Sequence, residues 1–148
     1  MSVELRRSHE QQLLLFERME QASDTRDFVI PYSLEAHREH FSRSDIVYLS
    51  VLSEGRLAGF VILVLDPDGV SMEFRRIVVA EKGKGIGQMA ISEVEAFCSH
   101  ELGRTRIWLD VFQHNARGRH IYEKLGYRLF GTRFVDEKLL LLYEKRLS

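Results

Sequence analysis

The stretch Glu73–Gly87, EFRRIVVAEKGKGIG, is the centre of the chain. Ile77, Val78 and Val79 read as the apolar end of a buried strand, and Gly83, Gly85 and Gly87 fall where a helix begins. Glycine lets a backbone turn through positive φ and come close to a ligand. The first amides of a helix have no intrahelical partner, and the helix dipole places partial positive charge beside them. Lys82 and Lys84 add full charges. The combination predicts a seat for phosphate oxygens, built by Lys82, Gly83, Lys84, Gly85, Ile86, Gly87 and Gln88.

Three kinds of glycine loop compete for this stretch. A Walker loop needs a second glycine five residues after the first, followed by Lys and Ser or Thr. Counting from Gly83 reaches Gln88 and from Gly85 reaches Ala90, so that pattern fails. A dinucleotide fingerprint in its relaxed form fits Gly85-Ile86-Gly87-Gln88-Met89-Ala90, with Asp110 further on. Against it, Ala80–Lys84 separate the strand from the first glycine, and Asp110 sits inside the apolar run Ile107–Phe112. The third is a pyrophosphate loop for coenzyme A. KGKGIG resembles motif A of the GNAT superfamily of N-acetyltransferases, Q/R-x-x-G-x-G/A, with Lys82 in the Gln/Arg place.

The chain of 148 residues is sized for one domain, expected to span 1–148. Its formal net charge of −1 gives no global basic field for nucleic acid or an anionic membrane. A single cysteine, Cys98, excludes an internal disulfide and points to a reducing, cytoplasmic setting. MSVELRRSHE has no apolar core of a signal peptide, and no apolar run approaches the roughly 20 residues of a membrane span.

In order, Val3–Arg6 reads as a strand, and Ser8 with Gln11 as a capping box opening a helix to Gln21. Ser23–Pro31 reads as a loop and Ser33–Phe41 as a second helix. Asp45–Ser53, Leu57–Leu65 and Val70–Val79 form an antiparallel meander, turned at Glu54-Gly55 and Asp66–Gly69. Ile86, Ala90, Val94 and Phe97 recur at helical spacing, with Gly103 as stop. Arg106–Phe112 is a strand, Asn115 caps a helix ending near Leu125, and Tyr127–Phe134 with Leu139–Arg146 make a last hairpin. A right-handed crossover through the helix after Gly87 makes Val70–Val79 and Arg106–Phe112 parallel, so the sheet is mixed.

A second motif strengthens the resemblance. Trp108–Tyr127, WLDVFQHNARGRHIYEKLGY, is similar to the GNAT pattern of a strand ending L-[DE]-V, an Asn, then Y-E-K-x-G-[FY], at the right separation from the loop. The resemblance implies an α/β (α+β) fold, with a mixed, mostly antiparallel sheet of about seven strands and about four helices. It implies a parallel pair splayed at a bulge in its first strand, the pantetheine arm of coenzyme A lying in the gap. It implies transfer of an acetyl group from acetyl-CoA to a primary amine of a small molecule or peptide N-terminus, without metal, covalent acyl carrier, nucleic acid or membrane. Many members are homodimers, so that state is one expectation.

By position, the backbone of Ile77, Val78 and Val79 would line the arm, Asn115 and the start of its helix would touch it from the other side with Tyr122 facing the gap, and Arg117, Arg119 and Lys124 would meet the 3′-phosphate or stand as exposed charge. Tyr122 matches the family tyrosine that can protonate the departing thiolate. A main-chain amide in the bulge, near Val79, would hold the thioester oxygen. Two carboxylates are candidates for the base, each able to act directly or through water. Glu73 stands six residues before Val79, on the same face by alternation, and Asp110 matches an acidic position of the family's N-terminal-acetylating branch. The plain alternative pairs each with an arginine, Glu73 with Arg75 or Arg76 and Asp110 with Arg106. His37 and His40 read as acceptor-site or surface residues. A polyamine acceptor would call for acidic lining from Glu17, Glu20, Asp24, Asp27 or Glu35, which read equally as surface charge. The other functional classes are a non-catalytic acyl-CoA-binding module and a nucleotide-dependent oxidoreductase.

Overall fold

Alternating and continuous apolar runs build one sheet in the computed structural model, which describes residues 2–22, 29–81 and 83–147. The strands are β1 (Val3–Arg7), β2 (Ile46–Ser53), β3 (Arg56–Leu65), β4 (Ser71–Val79), β5 (Arg106–Phe112), β6 (Arg128–Val135) and β7 (Lys138–Arg146). Among the described residues the α-helices are α1 (Leu13–Gln21), α2 (Leu34–Ser42), α3 (Ile86–His100) and α4 (Ala116–Lys124). The sheet order is β1-β2-β3-β4-β5-β7-β6, and β4–β5 is its one parallel pair. No described helix is long and apolar enough to cross a membrane.

Each sheet face has its own core. One gathers Leu49, Phe74 and Leu109 beneath α3, whose Ile86, Ala90, Val94 and Cys98 point inward at helical spacing. The other joins Tyr48, Phe60, Ile62 and Val78 to Leu13 and Phe16 of α1. The helix entry differs by one residue from the Ser8–Gln11 box. Gln12 reaches back to the His9 amide at 2.9 Å, while the Ser8 hydroxyl meets Ser50 at 2.8 Å, so Ser8 is held by β2.

Glu20, on the inward face of α1, is fully buried. It accepts from Arg76 Nη1 and lies 2.6 Å from His37 Nε2, and His37 Nδ1 lies 2.6 Å from the Tyr48 hydroxyl. His37 is therefore an interior residue, correcting its expected place in the acceptor site or on the surface. Burying an ion pair is favourable only when its remaining polar atoms are also satisfied. Here His37 and the Tyr32 amide, 3.2 Å from Glu20 Oε1, complete the carboxylate's shell, and Tyr32 stacks its ring 4.0 Å from the Arg76 guanidinium.

β4 and β5 pair only over Ser71–Glu73 and Arg106–Trp108. That end is pinned by side chains. Arg104 Nη1 donates to the Asp66 and Ser71 carbonyls, Arg106 Nη1 to Ser71 Oγ, and Trp108 Nε1 to Asp66 Oδ2 at 2.7 Å. Beyond it β4 stays on β3 and β5 stays on β7, so the two strands part as a V. The β3–β4 register slips between Ile62 and Leu63, which pair with Arg76 and Phe74, leaving Arg75 as the extra residue of a bulge.

A Cβ on Gly59 would sit 2.1 Å from the Val78 carbonyl oxygen, so Gly59→Ala must push β3 off β4. Chemical denaturation should show a loss of about 1–3 kcal/mol, the ordinary cost of overpacking. Arg76→Met leaves Glu20 buried without its guanidinium, and the same assay should show a larger loss, about 3–5 kcal/mol.

Candidate active site

The V opens beside the glycine turn. Gly83 and Gly85 take positive φ (81° and 77°), which lets the chain reverse tightly, and α3 starts at Ile86. A groove of about 640 Å³ runs from this helix start to the fork of the sheet. At its outer end it is lined by Gly83, Gly85, Ile86, Gly87 and Gln88. Along β4 it touches Phe74, Ile77 and Val79, and along α4 it touches Asn115, Arg117, Gly118 and Tyr122. The sequence-predicted loop, strand and α4 residues are thus brought to one groove.

Some predicted residues stand elsewhere. Val78 points into the opposite core with Phe60 and Ile62, so only its main chain borders the gap. Lys84 pairs with Glu81 at 2.7 Å in solvent, and Lys124 is exposed on α4 away from the groove lining. Lys82 lies outside the described residues. The side chain of Asn115 caps α4 by accepting the Gly118 amide at 2.9 Å. Gly118 suits that cap, since a Cβ there would lie 2.7 Å from Asn115 Nδ2.

The bulge also corrects two expectations. It falls at Arg75, four residues before Val79 and nearer the fork, so the amide near Val79 is not in it. The extra residue reverses the alternation: Met72 and Phe74 share a core with Ile77 and Val79. Glu73 therefore points away from Val79's face. It lines a second cavity of about 380 Å³ on the other side of the bulge and is held by Arg75 Nη2 at 2.9 Å and Nε at 3.2 Å. Arg76 turns to Glu20 instead.

Asp110 lines both spaces, together with Arg75, Arg76 and Val111. Its partner is Arg133, from β6, with Nη2 at 2.6 Å from Oδ2. Arg106, expected beside it, binds Glu144 at 2.7 Å. Tyr122 packs edge-on to Tyr127. Burial pushes its phenol up to about 12, and the nearby Asp110 charge adds to the rise. The phenol is therefore a proton donor at neutral pH. Burial also raises the Cys98 thiol, to about 11, on the inner face of α3 and outside the groove lining.

Glu17 accepts the Leu34 amide, Glu20 is internal, Glu35 is outside the cavity lining, and Asp24 and Asp27 lie outside the described residues. Among the described residues no group of three or more His, Cys, Asp or Glu could hold a metal ion. Arg75 holds Glu73 from two residues away on the same strand, the pairing the sequence offered as the plain alternative. The residues that sequence reasoning missed are Arg133, which holds Asp110, and the interior partners of Arg76. They meet across strands far apart in sequence, and nothing local marks them.

A doubly wound nucleotide fold would need a largely parallel sheet, and this sheet has one parallel pair. Comparison with known proteins agrees. The chain is 30% identical over 86 residues to the streptothricin acetyltransferase of Streptomyces lavendulae, covering 57% of this chain and 45% of that one. It spans about half the length of the first curated relatives it matches. Its fold matches that of an aminoglycoside acetyltransferase, AAC(6')-Ib, in complex with coenzyme A (TM-score 0.84, 17% identity, 98% of this chain and 95% of that one). It also matches spermidine N-acetyltransferase from Vibrio cholerae in complex with CoA and spermine (TM-score 0.83, 20% identity, 97% and 95%). The model of the acetyltransferase (GNAT) family matches residues 13–127, and the chain belongs to that family.

Proposed function

We propose that the chain, as a single domain, transfers an acetyl group from acetyl-CoA directly to the primary amine of a small molecule. The observation that carries this is the continuity of the groove from the amides of α3 to the facing pair Tyr122 and Asp110. Acetyl-CoA, when bound, supplies the activated acyl carbon as a thioester. The amides of Gly85–Gln88 hold the diphosphate, helped by the dipole of α3. The parted edge of β4 around Ile77 and Val79 offers main-chain hydrogen bonds to the pantetheine arm. The N-terminal turn of α4, with Asn115 and Arg117, closes the other side.

The acceptor enters through the second cavity and meets the thioester at the fork. Its nitrogen must be uncharged to attack, so a proton leaves first or during attack. Asp110 is the base this geometry favours, because it borders both spaces, whereas Glu73 borders only the acceptor cavity and is clasped on both oxygens by Arg75. The C–N bond forms, a main-chain amide just after the bulge steadies the carbonyl oxygen, and the C–S bond breaks. Tyr122 gives its proton to the departing sulfur; the ammonium's first proton leaves through Asp110 to solvent, and the second, shed as the amide forms, restores the Tyr122 phenol. A module that merely binds acyl-CoA has no use for a protonated phenol facing a carboxylate.

Thiol release from acetyl-CoA with an amine panel measures the activity. Tyr122→Phe should lower kcat about 10²-fold while leaving coenzyme A affinity nearly intact, as loss of a general acid does. Asp110→Asn should lose about as much, and Glu73→Gln clearly less. Because the phenol is held near about 12 instead of 10.0, the wild-type rate should show no descending limb near the ordinary tyrosine value. A limb there that Tyr122→Phe removes would show the phenol titrating at its ordinary value and contradict its upward shift, whereas a Tyr122→Phe rate equal to wild type would contradict the donor role.

A further inference from the structure

Resting on the acetyl-transfer reading, we propose that the acceptor is a free amino acid or a close analogue, whose carboxylate lies near its amine and is held by Arg133 and Arg75. Among the described residues, the charged side chains lining the acceptor cavity are Glu73, Arg75, Arg76, Asp110 and Arg133. Both carboxylates are already matched, Glu73 by Arg75 and Asp110 by Arg133. Arg76 is committed to the buried Glu20. A polycationic acceptor would bring ammonium groups to a lining with no unmatched acid.

The guanidinium groups still have donors to offer. Arginine carries five N–H bonds in a fixed fork. Arg75 spends Nε and Nη2 on Glu73, and Arg133 spends Nη2 on Asp110. The remaining N–H groups of Arg75 and Arg133 flank the fork and suit the oxygens of an anion. Position then restricts the substrate further. Arg133 Nη2 is 2.6 Å from the carboxylate that serves as base, so an anion bound there stands close to the reacting nitrogen. An α-amino acid has that spacing, whereas a peptide N-terminus has an amide there and a polyamine another cation. Phe112, Val135 and Leu140 supply an apolar wall for a side chain.

Thiol release from acetyl-CoA, measured for free amino acids, their amides and spermidine, tests this. The best amino acid should exceed its own amide, and spermidine, by about tenfold or more in kcat/KM, the scale of a charge-assisted hydrogen bond. Arg133→Gln should collapse the acid-to-amide ratio towards unity, mainly through KM, and Arg133→Lys should restore part of it. The ratio is internal to each variant, so a general loss of active protein does not mimic the result. Turnover that favours the amide or spermidine, or an acid-to-amide ratio unmoved by Arg133→Gln, overturns the inference while acetyl transfer stands. Absence of thiol release with every amine overturns the acetyl-transfer reading, and the inference with it.

Discussion

The molecule depends on two strands that stop pairing. β4 and β5 share three residues of ladder and then diverge, each held by its own antiparallel neighbour. Unpaired strand edges are normally a liability, inviting another chain to add to the sheet. Here the gap is walled by α4, capped through Asn115, and by the start of α3. The closed end resists unzipping because Trp108, Arg104 and Arg106 tie β5 and its approach to Asp66 and Ser71 on the β4 side. The closed end of the fork is thus fixed by the fold's own side chains.

The bulge at Arg75 links that gap to the opposite face. One added residue makes Arg75 and Arg76 neighbours of both spaces, and puts Glu73 in the second cavity. Arg76 is then anchored by Glu20, with His37 and Tyr48 behind it. A buried carboxylate of this kind contributes little net stability, yet it holds α1, α2 and the bulge in one arrangement. It joins the helical layer to the part of β4 that lines both cavities.

Much of this was legible in the sequence. The element order, the mixed sheet and the glycine turn followed from periodicity and turn residues, because apolar spacing and positive φ leave local marks. The groove residues Gly83, Gly85, Ile86, Gly87 and Gln88, and Tyr122 with Asn115, followed from two motifs. What could not be read was register. Alternation assigned Glu73 to the face of Val79, and a single extra residue between them reversed it. The last hairpin was expected, with its turn between Phe134 and Leu139, but the positive φ of Asp136 and Glu137 within that turn was hidden because neither is glycine. The pairings Arg76–Glu20 and Arg133–Asp110 span 56 and 23 residues, so only the assembled sheet brings them together.

Amide hydrogen exchange, followed by mass spectrometry with and without coenzyme A, tests the fork most directly. The account predicts slower exchange on binding in two separate segments, the β4 stretch after Arg75 and the turn Gly85–Gln88. It predicts that pantetheine, which lacks the diphosphate, protects the first segment only. Saturable coenzyme A binding that leaves both segments exchanging as in the free chain would contradict it.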